Sequence, residues 1–121
     1  KAEGQEGFLQ MNGQEVFKFA VRKVPELTEE LLEKSGLKIA DIDFFILHQA
    51  NERIVKAAAK KLKVDMSRFP INMENYANTS AASIPILLDE LVQTGRLRKG
   101  QKILLAGFGA GLTWAGSILE W

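Results

Sequence analysis

The chain has 121 residues, of which 46% are hydrophobic and 26% are charged, and its formal net charge is +1. This length and composition are typical of one globular domain, and the near-neutral charge argues against a broadly basic nucleic-acid-binding protein. The sequence contains no cysteine and one histidine, which excludes disulfides and thiolate metal sites and leaves no obvious metal-ligand set.

Residues 1–7 lack the apolar core of a signal peptide, and no apolar run approaches the roughly 20 residues of a membrane span. We therefore expect a cytoplasmic protein without a membrane segment. Because the chain begins with Lys1 rather than Met, and a helical pattern begins almost at once, we interpret residues 1–121 as one domain of a longer gene product.

The spacing of apolar residues predicts a first helix from about Asn12, ending near Gly36 as its C-terminal cap. We expect a kink or a restart at Pro25, because proline lacks an amide hydrogen and disfavours helical geometry before it. Residues 43–47 form a short segment that is apolar from Phe44 to Leu47, which is typical of a central parallel strand buried on both faces. A second helix is expected over residues 51–63.

Residues 67–73 are predicted to form either a short strand or an extended connection. A third helix is expected from about residue 80 to residue 94, with Pro85 in its first turns. Two strands, 102–106 and 112–121, flank a glycine-rich turn and predict a hairpin. The sequence therefore predicts an α/β fold with a mixed, mostly parallel sheet that is flanked by helices and ends in a β-hairpin.

The only histidine, His48, follows directly on the apolar run Phe44–Leu47. Ligands of open α/β sheets bind beyond the carboxyl ends of the strands, which is where His48 is expected. The start of the next helix adds positive potential at the same place. His48 is therefore a candidate active-site residue, and the alternative is a polar residue where a strand reaches the surface.

Asn78 stands in a run of polar residues at the expected start of the third helix. A neutral imidazole and a carboxamide are uncharged hydrogen-bond donors, and together they suit the stabilisation of one developing oxyanion. Asparagine is also a common helix N-cap, so capping alone explains Asn78 equally well. Both interpretations stay open from the residues alone.

The glycine-rich segment 107–111 does not match the dinucleotide-binding motif, because that motif opens a helix and here a strand is expected to follow. No Gly-Lys-Ser/Thr sequence exists, so a P-loop is excluded as well. We interpret the segment as a turn whose small residues let a ligand approach the backbone amides closely.

The helix after His48 carries cations at helical spacing: Arg53, Lys56, Lys60, Lys61 and Lys63. Five cations against the single carboxylate Glu52 give this segment a charge of +4 within a nearly neutral chain. Such a face is either a solvated surface or a dock for an acidic partner or a phosphate-bearing ligand.

Three motifs occur in order: His-Gln-Ala-Asn-x-Arg-Ile from His48, Asn-Thr-Ser-Ala-Ala-Ser-Ile-Pro from Asn78, and Gly-Phe-Gly-Ala-Gly-Leu-Thr-Trp from Gly107. Together they closely resemble the C-terminal half of β-ketoacyl-[acyl carrier protein] synthase III, over about residues 8–121. The resemblance implies one half of a thiolase-like fold. It also implies the family's Cys-His-Asn chemistry, in which a cysteine takes an acyl group from acyl-CoA and malonyl-[acyl carrier protein] is decarboxylated.

By position, the resemblance makes His48 and Asn78 the histidine and asparagine of that triad. It assigns an oxyanion hole to the backbone amide of Ala110, with Phe108 and Gly109 in the substrate pocket. No cofactor is implied beyond the two thioester substrates. The parent protein is expected to be an acyltransferase that initiates fatty-acid synthesis.

The resemblance also implies that Asn51 touches the pantetheine or CoA. Its implied contacts with the carrier protein are Gln49, Ala50, Asn51, Glu52, Arg53, Lys18, Lys60 and Lys61. Ala77 departs from the family pattern, because many members have glycine before the asparagine.

The family's nucleophilic cysteine lies in an N-terminal half that these residues do not include, so we expect the chain to be inactive by itself. The implied partners are acyl carrier protein, a CoA thioester and that missing half. The uncovered apolar face of a half-fold predicts self-association as a homo-oligomer. Two alternatives stay open: one half of a type III polyketide synthase, and a non-catalytic module that binds acyl carrier protein.

Overall fold

The computed structural model describes residues 10–121, so the segment with Lys1 and Phe8 lies outside the described residues. The described helices and strands are α1 Gly13–Ser35, β1 Phe44–Leu47, α2 Glu52–Leu62, α3 Met73–Tyr76, α4 Ser83–Gln93, β2 Lys102–Gly109 and β3 Thr113–Glu120. Short 3₁₀ turns occupy Ile39–Asp41, Met66–Arg68 and Ser80–Ala82. None of the helices described is long and apolar enough to cross a bilayer.

The three described strands form one mixed sheet in the order β1-β2-β3. β1 pairs parallel to β2, with Phe44 opposite Ile103, and β2 pairs antiparallel to β3, with Leu104 opposite Ile118. The predicted α/β fold with a terminal hairpin is therefore confirmed. The prediction that β1 is central is wrong within this sheet, where β2 is the central strand and β1 lies at an edge.

The two faces of the sheet are covered by different helices. Phe45 and Leu47 of β1 pack in a core with α1 and α2, whereas Ile46 packs with Leu87 and Leu91 of α4. Successive side chains of β1 point to opposite faces of the sheet, and helices cover both faces. β1 is therefore buried on both faces although it lies at an edge of this sheet.

Helix α1 runs without interruption through Pro25, so the predicted restart is wrong. Pro25 is buried between Val24 and Leu27, and this packing offsets the one missing backbone hydrogen bond. Thr28 also donates its hydroxyl to the Val24 carbonyl at 2.9 Å. The predicted cap is confirmed, because Gly36 has a φ of +69° in the left-handed region.

Residues 67–73 form no strand, so the predicted strand is wrong; a 3₁₀ turn ends at Arg68, residues 69–72 connect it to α3, and α3 begins at Met73. Side chains anchor this segment instead of a ladder of backbone bonds. The Arg68 guanidinium donates to the carbonyls of Ile39 and Ile42, and the Phe69 ring stacks on Phe45 with centroids 4.7 Å apart.

The last helix and the hairpin differ from the prediction at their ends. A 3₁₀ turn occupies residues 80–82, and α4 begins only at Ser83, which places Pro85 in the tolerated first turn. Strand β2 continues through Gly109, so the hairpin turn is formed by residues 110–112 rather than 107–111. Gly107 and Gly109 therefore lie at the end of β2 and not in the turn.

Candidate active site

A cleft of about 480 Å³ opens where the carboxyl ends of the parallel strands β1 and β2 meet. Three segments form its walls: the residue after β1, the turn before α4, and the tip of the β2–β3 hairpin. Among its lining residues are His48, Asn78, Ser80, Ser83, Phe108, Gly109, Ala110 and Trp114. The structure therefore brings together the five cleft residues expected from sequence, and adds two serines and a tryptophan.

His48 is held in this cleft by its backbone and its ring. Its N–H donates to the Ala106 carbonyl at 2.9 Å, which continues the parallel pairing beyond β1. Its Nδ1 lies 2.6 Å from the Ser83 hydroxyl, and its ring meets Phe108 edge-on with centroids 5.3 Å apart. Burial lowers the pKa of His48, so the imidazole is neutral at pH 7.

Asn78 is exposed and faces the same cleft from the turn before α4. Its Oδ1 accepts a hydrogen bond from the Ser80 N–H at 3.0 Å. Because the oxygen is engaged with the backbone, the amide group offers its NH₂ as the donor for a ligand. The capping interpretation and the donor interpretation of Asn78 are therefore compatible.

Ala77, directly before Asn78, has a φ of +57° and a ψ of −155°. This combination lies in a region that essentially only glycine adopts without strain. The conformation therefore favours glycine at this position. The strained backbone at Ala77 sets the direction in which the chain runs from the end of α3 to Asn78.

The hairpin tip forms the wall opposite Asn78. Thr113 donates its hydroxyl to the Ala110 carbonyl at 2.8 Å, which braces the turn. Trp114 is 45% exposed, and its ring contacts Phe19 of α1 and the Lys23 ammonium. The tip thus presents aromatic and backbone surface to the cleft and is tied to α1.

None of the residues expected to contact CoA or the carrier protein lines the cleft, and two of them, Asn51 and Gln49, bond within the fold. Asn51 caps α2, because its Oδ1 accepts from the Arg53 N–H at 2.8 Å. Gln49 is only 1% exposed, and its amide bonds to the Leu47 carbonyl and the Asn72 N–H. The expectation that Gln49 contacts a carrier protein is therefore wrong for its side chain, which holds two segments of the fold together.

The expected basic contacts lie on the exposed surface of α1 and α2. Arg53, Lys60 and Lys61 are exposed on α2, and Lys18 is exposed on α1, which packs against α2. The Arg53 guanidinium lies 5.2 Å from the centre of the Phe17 ring of α1. We define Lys18, Arg53, Lys60 and Lys61 as the basic surface.

Ser83 is the site residue that the sequence reading missed. It is the last residue of the Asn-Thr-Ser-Ala-Ala-Ser motif, which by itself assigns it no role. Its contact with His48 depends on the packing of α4 against the end of β1, which local sequence does not show. Among residues 10–121 no three His, Cys, Asp or Glu side chains group closely enough to hold a metal ion.

An α/β fold in which an imidazole and a carboxamide line one cleft is what the resemblance to the thiolase-like condensing enzymes implies. Residues 32–121 match the family described as 3-oxoacyl-[acyl-carrier-protein (ACP)] synthase III C terminal. The chain belongs to this family.

Individual relatives agree with that membership. The chain is 50% identical over 113 residues to the β-ketoacyl-[acyl-carrier-protein] synthase III of Clostridium acetobutylicum, which covers 93% of this chain and 35% of that protein. The crystal structure of the Thermus thermophilus synthase III superposes with a TM-score of 0.93 at 50% identity, covering 97% of this chain and 36% of that one. The chain thus spans about a third of the length of these relatives.

A polyketide enzyme is also similar. The priming β-ketosynthase from the R1128 polyketide biosynthetic pathway has a TM-score of 0.86 and 39% identity, covering 92% of this chain and 34% of that one. The same part of the fold therefore occurs in a fatty-acid enzyme and in a polyketide enzyme.

Proposed function

We propose that this chain is the C-terminal catalytic half of a condensing enzyme that joins an acyl group from acyl-CoA to malonyl-[acyl carrier protein]. The observation that carries the proposal is that His48 and Asn78 line one cleft, His48 held by a hydrogen bond to Ser83 and Asn78 by one from the Ser80 N–H of its own turn. The relatives of this chain that are named as synthases support the same assignment.

The proposed step is the decarboxylation of the malonyl thioester. The bond between the malonyl Cα and the carboxylate breaks, carbon dioxide leaves, and the electron pair moves onto the thioester oxygen as an enolate. His48 and Asn78 donate hydrogen bonds to that oxygen. One such preorganised donor contributes about 3 to 4 kcal/mol to lowering the barrier.

Neutral donors suit this step. The lowered pKa of His48 keeps it uncharged, so it stabilises the enolate without first protonating the carboxylate that must leave. The cleft has an apolar wall in Phe108, which is 9% exposed, and exclusion of water strengthens hydrogen bonds to the developing charge.

The condensation needs a second carbonyl and a nucleophile. The enolate carbon attacks the carbonyl of an acyl-cysteine, a carbon–carbon bond forms, and the cysteine thiolate leaves. The Ala110 amide, at the braced hairpin tip, stabilises the oxyanion of that step. Because this sequence has no cysteine, we propose that an N-terminal half supplies it, and that the chain is inactive without that half.

The basic surface provides a dock for the carrier protein that delivers the malonyl group. Acyl carrier protein is an acidic partner in this proposal, and the cations of α2 lie on the helix that begins four residues after His48. A partner bound there reaches the cleft with a flexible prosthetic arm.

A hybrid protein tests the proposal. In this hybrid, residues 10–121 replace the matching C-terminal third of the Thermus thermophilus synthase, which keeps its own N-terminal part. We expect condensation of acetyl-CoA with malonyl-[acyl carrier protein] by the hybrid, a loss of about 10²- to 10³-fold in kcat on His48→Ala or Asn78→Ala, and no product from the chain alone.

The matched control for these variants is Ser80→Ala, which alters the same cleft without removing either donor. An active hybrid that tolerates both His48→Ala and Asn78→Ala would refute the assignment. So would turnover by the isolated chain at the rate of the hybrid.

A polyketide-type role is the second candidate, supported by the similarity to the R1128 priming enzyme. The two candidates differ in how the extender is presented. Hybrid turnover with malonyl-CoA in place of the carrier-bound form would favour the type III polyketide synthase alternative. Salt-sensitive carrier binding without any decarboxylation would favour the non-catalytic binding module.

A further inference from the structure

Ser83 is a buried hydroxyl at the first position of α4, and it touches the loop that carries His48. Its side chain is 2% exposed, and its Oγ lies 2.6 Å from Nδ1 of His48. The same Oγ accepts the N–H of Gln49 at 3.2 Å. One serine from a segment 35 residues away therefore contacts both the imidazole and the backbone beside it.

These two contacts determine where the hydroxyl hydrogen points. A backbone N–H only donates, so its bond to Ser83 uses a lone pair of Oγ and leaves the hydroxyl hydrogen for another acceptor. Within residues 10–121 the other partner of Oγ is Nδ1 of His48. If Nδ1 carried a proton, the buried hydroxyl hydrogen would lack an acceptor, which is unfavourable.

We propose that Ser83 is a positioning residue that donates to Nδ1 and holds His48 as the neutral tautomer with its proton on Nε2. This inference deepens the proposed function and rests on it for its catalytic meaning. In that tautomer Nε2–H donates into the cleft. In the other tautomer Nε2 offers a lone pair, which would repel the enolate oxygen.

No charged group of the cleft competes with Ser83 for control of the ring. Apart from His48 itself, the residues that line the cleft are uncharged, including those from the hairpin and from α4. The aromatic neighbour Phe108 has no acceptor to offer Nδ1. A carboxylate, which orients the imidazole in many catalytic sites, is replaced here by a neutral hydroxyl.

The test uses nitrogen NMR of the isotope-labelled chain. His48 is the only histidine among the 121 residues, so one pair of ring nitrogens is observed. Well above the pKa of His48 we expect an unprotonated Nδ1 and a protonated Nε2. In Ser83→Ala we expect a mixture of the two tautomers, and a higher pKa for His48 because the donor to its neutral form is gone.

Ser83→Thr keeps the hydroxyl and is expected to restore the wild-type tautomer, and Ser80→Ala serves as the control in the same cleft. A proton on Nδ1 of the wild-type chain would overturn the proposal, as would an unchanged tautomer in a folded Ser83→Ala variant. The wild-type spectrum decides the question even if that variant does not fold.

Kinetics of the hybrid protein separate this inference from the proposed function. We expect Ser83→Ala to lower kcat about tenfold, the loss typical of one hydrogen bond, with KM for the malonyl thioester unchanged. An inactive hybrid with the expected tautomer would refute the proposed function and leave the role of Ser83 standing. An active hybrid in which Ser83→Ala has full kcat would refute the role of Ser83.

Discussion

The side-chain oxygen of Gln49 accepts a hydrogen bond from the backbone N–H of Asn72 at 3.3 Å. This bond joins the residue after His48 to the segment that leads to Asn78. Asn72 in turn donates its amide to the Glu90 carboxylate at 2.9 Å, so α4 is included in the same network. The two candidate catalytic side chains are thereby carried on segments that brace each other.

The first prediction concerns this network. We expect Gln49→Ala to lower the free energy of unfolding by about 2 to 3 kcal/mol, because it leaves a buried N–H of Asn72 without its partner. Urea unfolding measures the change. Gln93→Ala, an exposed glutamine on α4, is the control and should be nearly neutral. Equal effects of the two substitutions would contradict the structural role of Gln49.

The strained backbone at Ala77 leads to a second prediction. Its φ of +57° and ψ of −155° suit glycine, so Ala77→Gly should relieve strain. We expect the free energy of unfolding to rise by about 0.5 to 2 kcal/mol, since the relief of about 1 to 3 kcal/mol exceeds the entropy cost of glycine.

Ala57→Gly is the matched control for that substitution, because residue 57 lies inside helix α2. There glycine should destabilise by about 0.5 to 1 kcal/mol, so the two alanine-to-glycine changes are expected to have opposite signs. A loss of stability in Ala77→Gly measured by urea unfolding would show that the conformation carries no strain.

Close packing of α1 on the hairpin is the basis of a third prediction. A Cβ on Gly116 would lie 2.7 Å from the Leu105 carbonyl oxygen and 2.9 Å from a methyl group of Leu27. We expect Gly116→Ala to destabilise the fold by about 1 to 3 kcal/mol, measured by thermal unfolding. Gly13→Ala meets no atom within 4 Å and should not destabilise. Similar melting temperatures for both variants would refute this account of the interface.

The pKa of His48 gives a fourth prediction, on the pH dependence of stability. Burial lowers this pKa in the folded chain below its ordinary value of about 6.5. Well above pH 6.5 neither the folded nor the unfolded chain binds this proton, so the titration of His48 costs no stability. As the pH falls toward the lowered pKa, the unfolded chain binds the proton first, and stability is lost.

Urea unfolding at about pH 7.5 and about pH 5.5 measures this loss in the wild type and in His48→Gln. Other groups titrate in both proteins, so the difference between the two losses of stability isolates the effect of His48. We expect the wild type to lose more stability than the variant. Parallel losses would mean that His48 is as readily protonated in the folded chain as in the unfolded one.

The basic surface gives a fifth prediction. We expect Arg53→Ala combined with Lys61→Ala to weaken binding of acyl carrier protein to the chain by about three- to tenfold at low salt, measured by titration calorimetry. Added salt should reduce the difference, because exposed charges are screened. Lys38→Ala combined with Lys99→Ala, also exposed, is the control. Binding that is indifferent to both the charges and the salt would remove the docking role.

Several features followed from local sequence. The cap at Gly36, the buried segment before His48 and the amphipathic helix α2 each depend on residues a few positions apart, whose spacing is visible in the chain. The restart predicted at Pro25 is wrong, because the effect of this proline on α1 depends on what the buried turn packs against. Tertiary packing overrode the local preference there.

The sequence by itself determined which side chains are available for chemistry: one imidazole after an apolar strand, one carboxamide before a helix, and no thiol. Only the tertiary structure decided which of them meet. Ser83 reaches His48, and Gln49 turns inward rather than toward a partner, because strand register and the packing of α4 bring distant segments together. Such contacts arise from the closing of a core over many residues, and no short-range pattern encodes them.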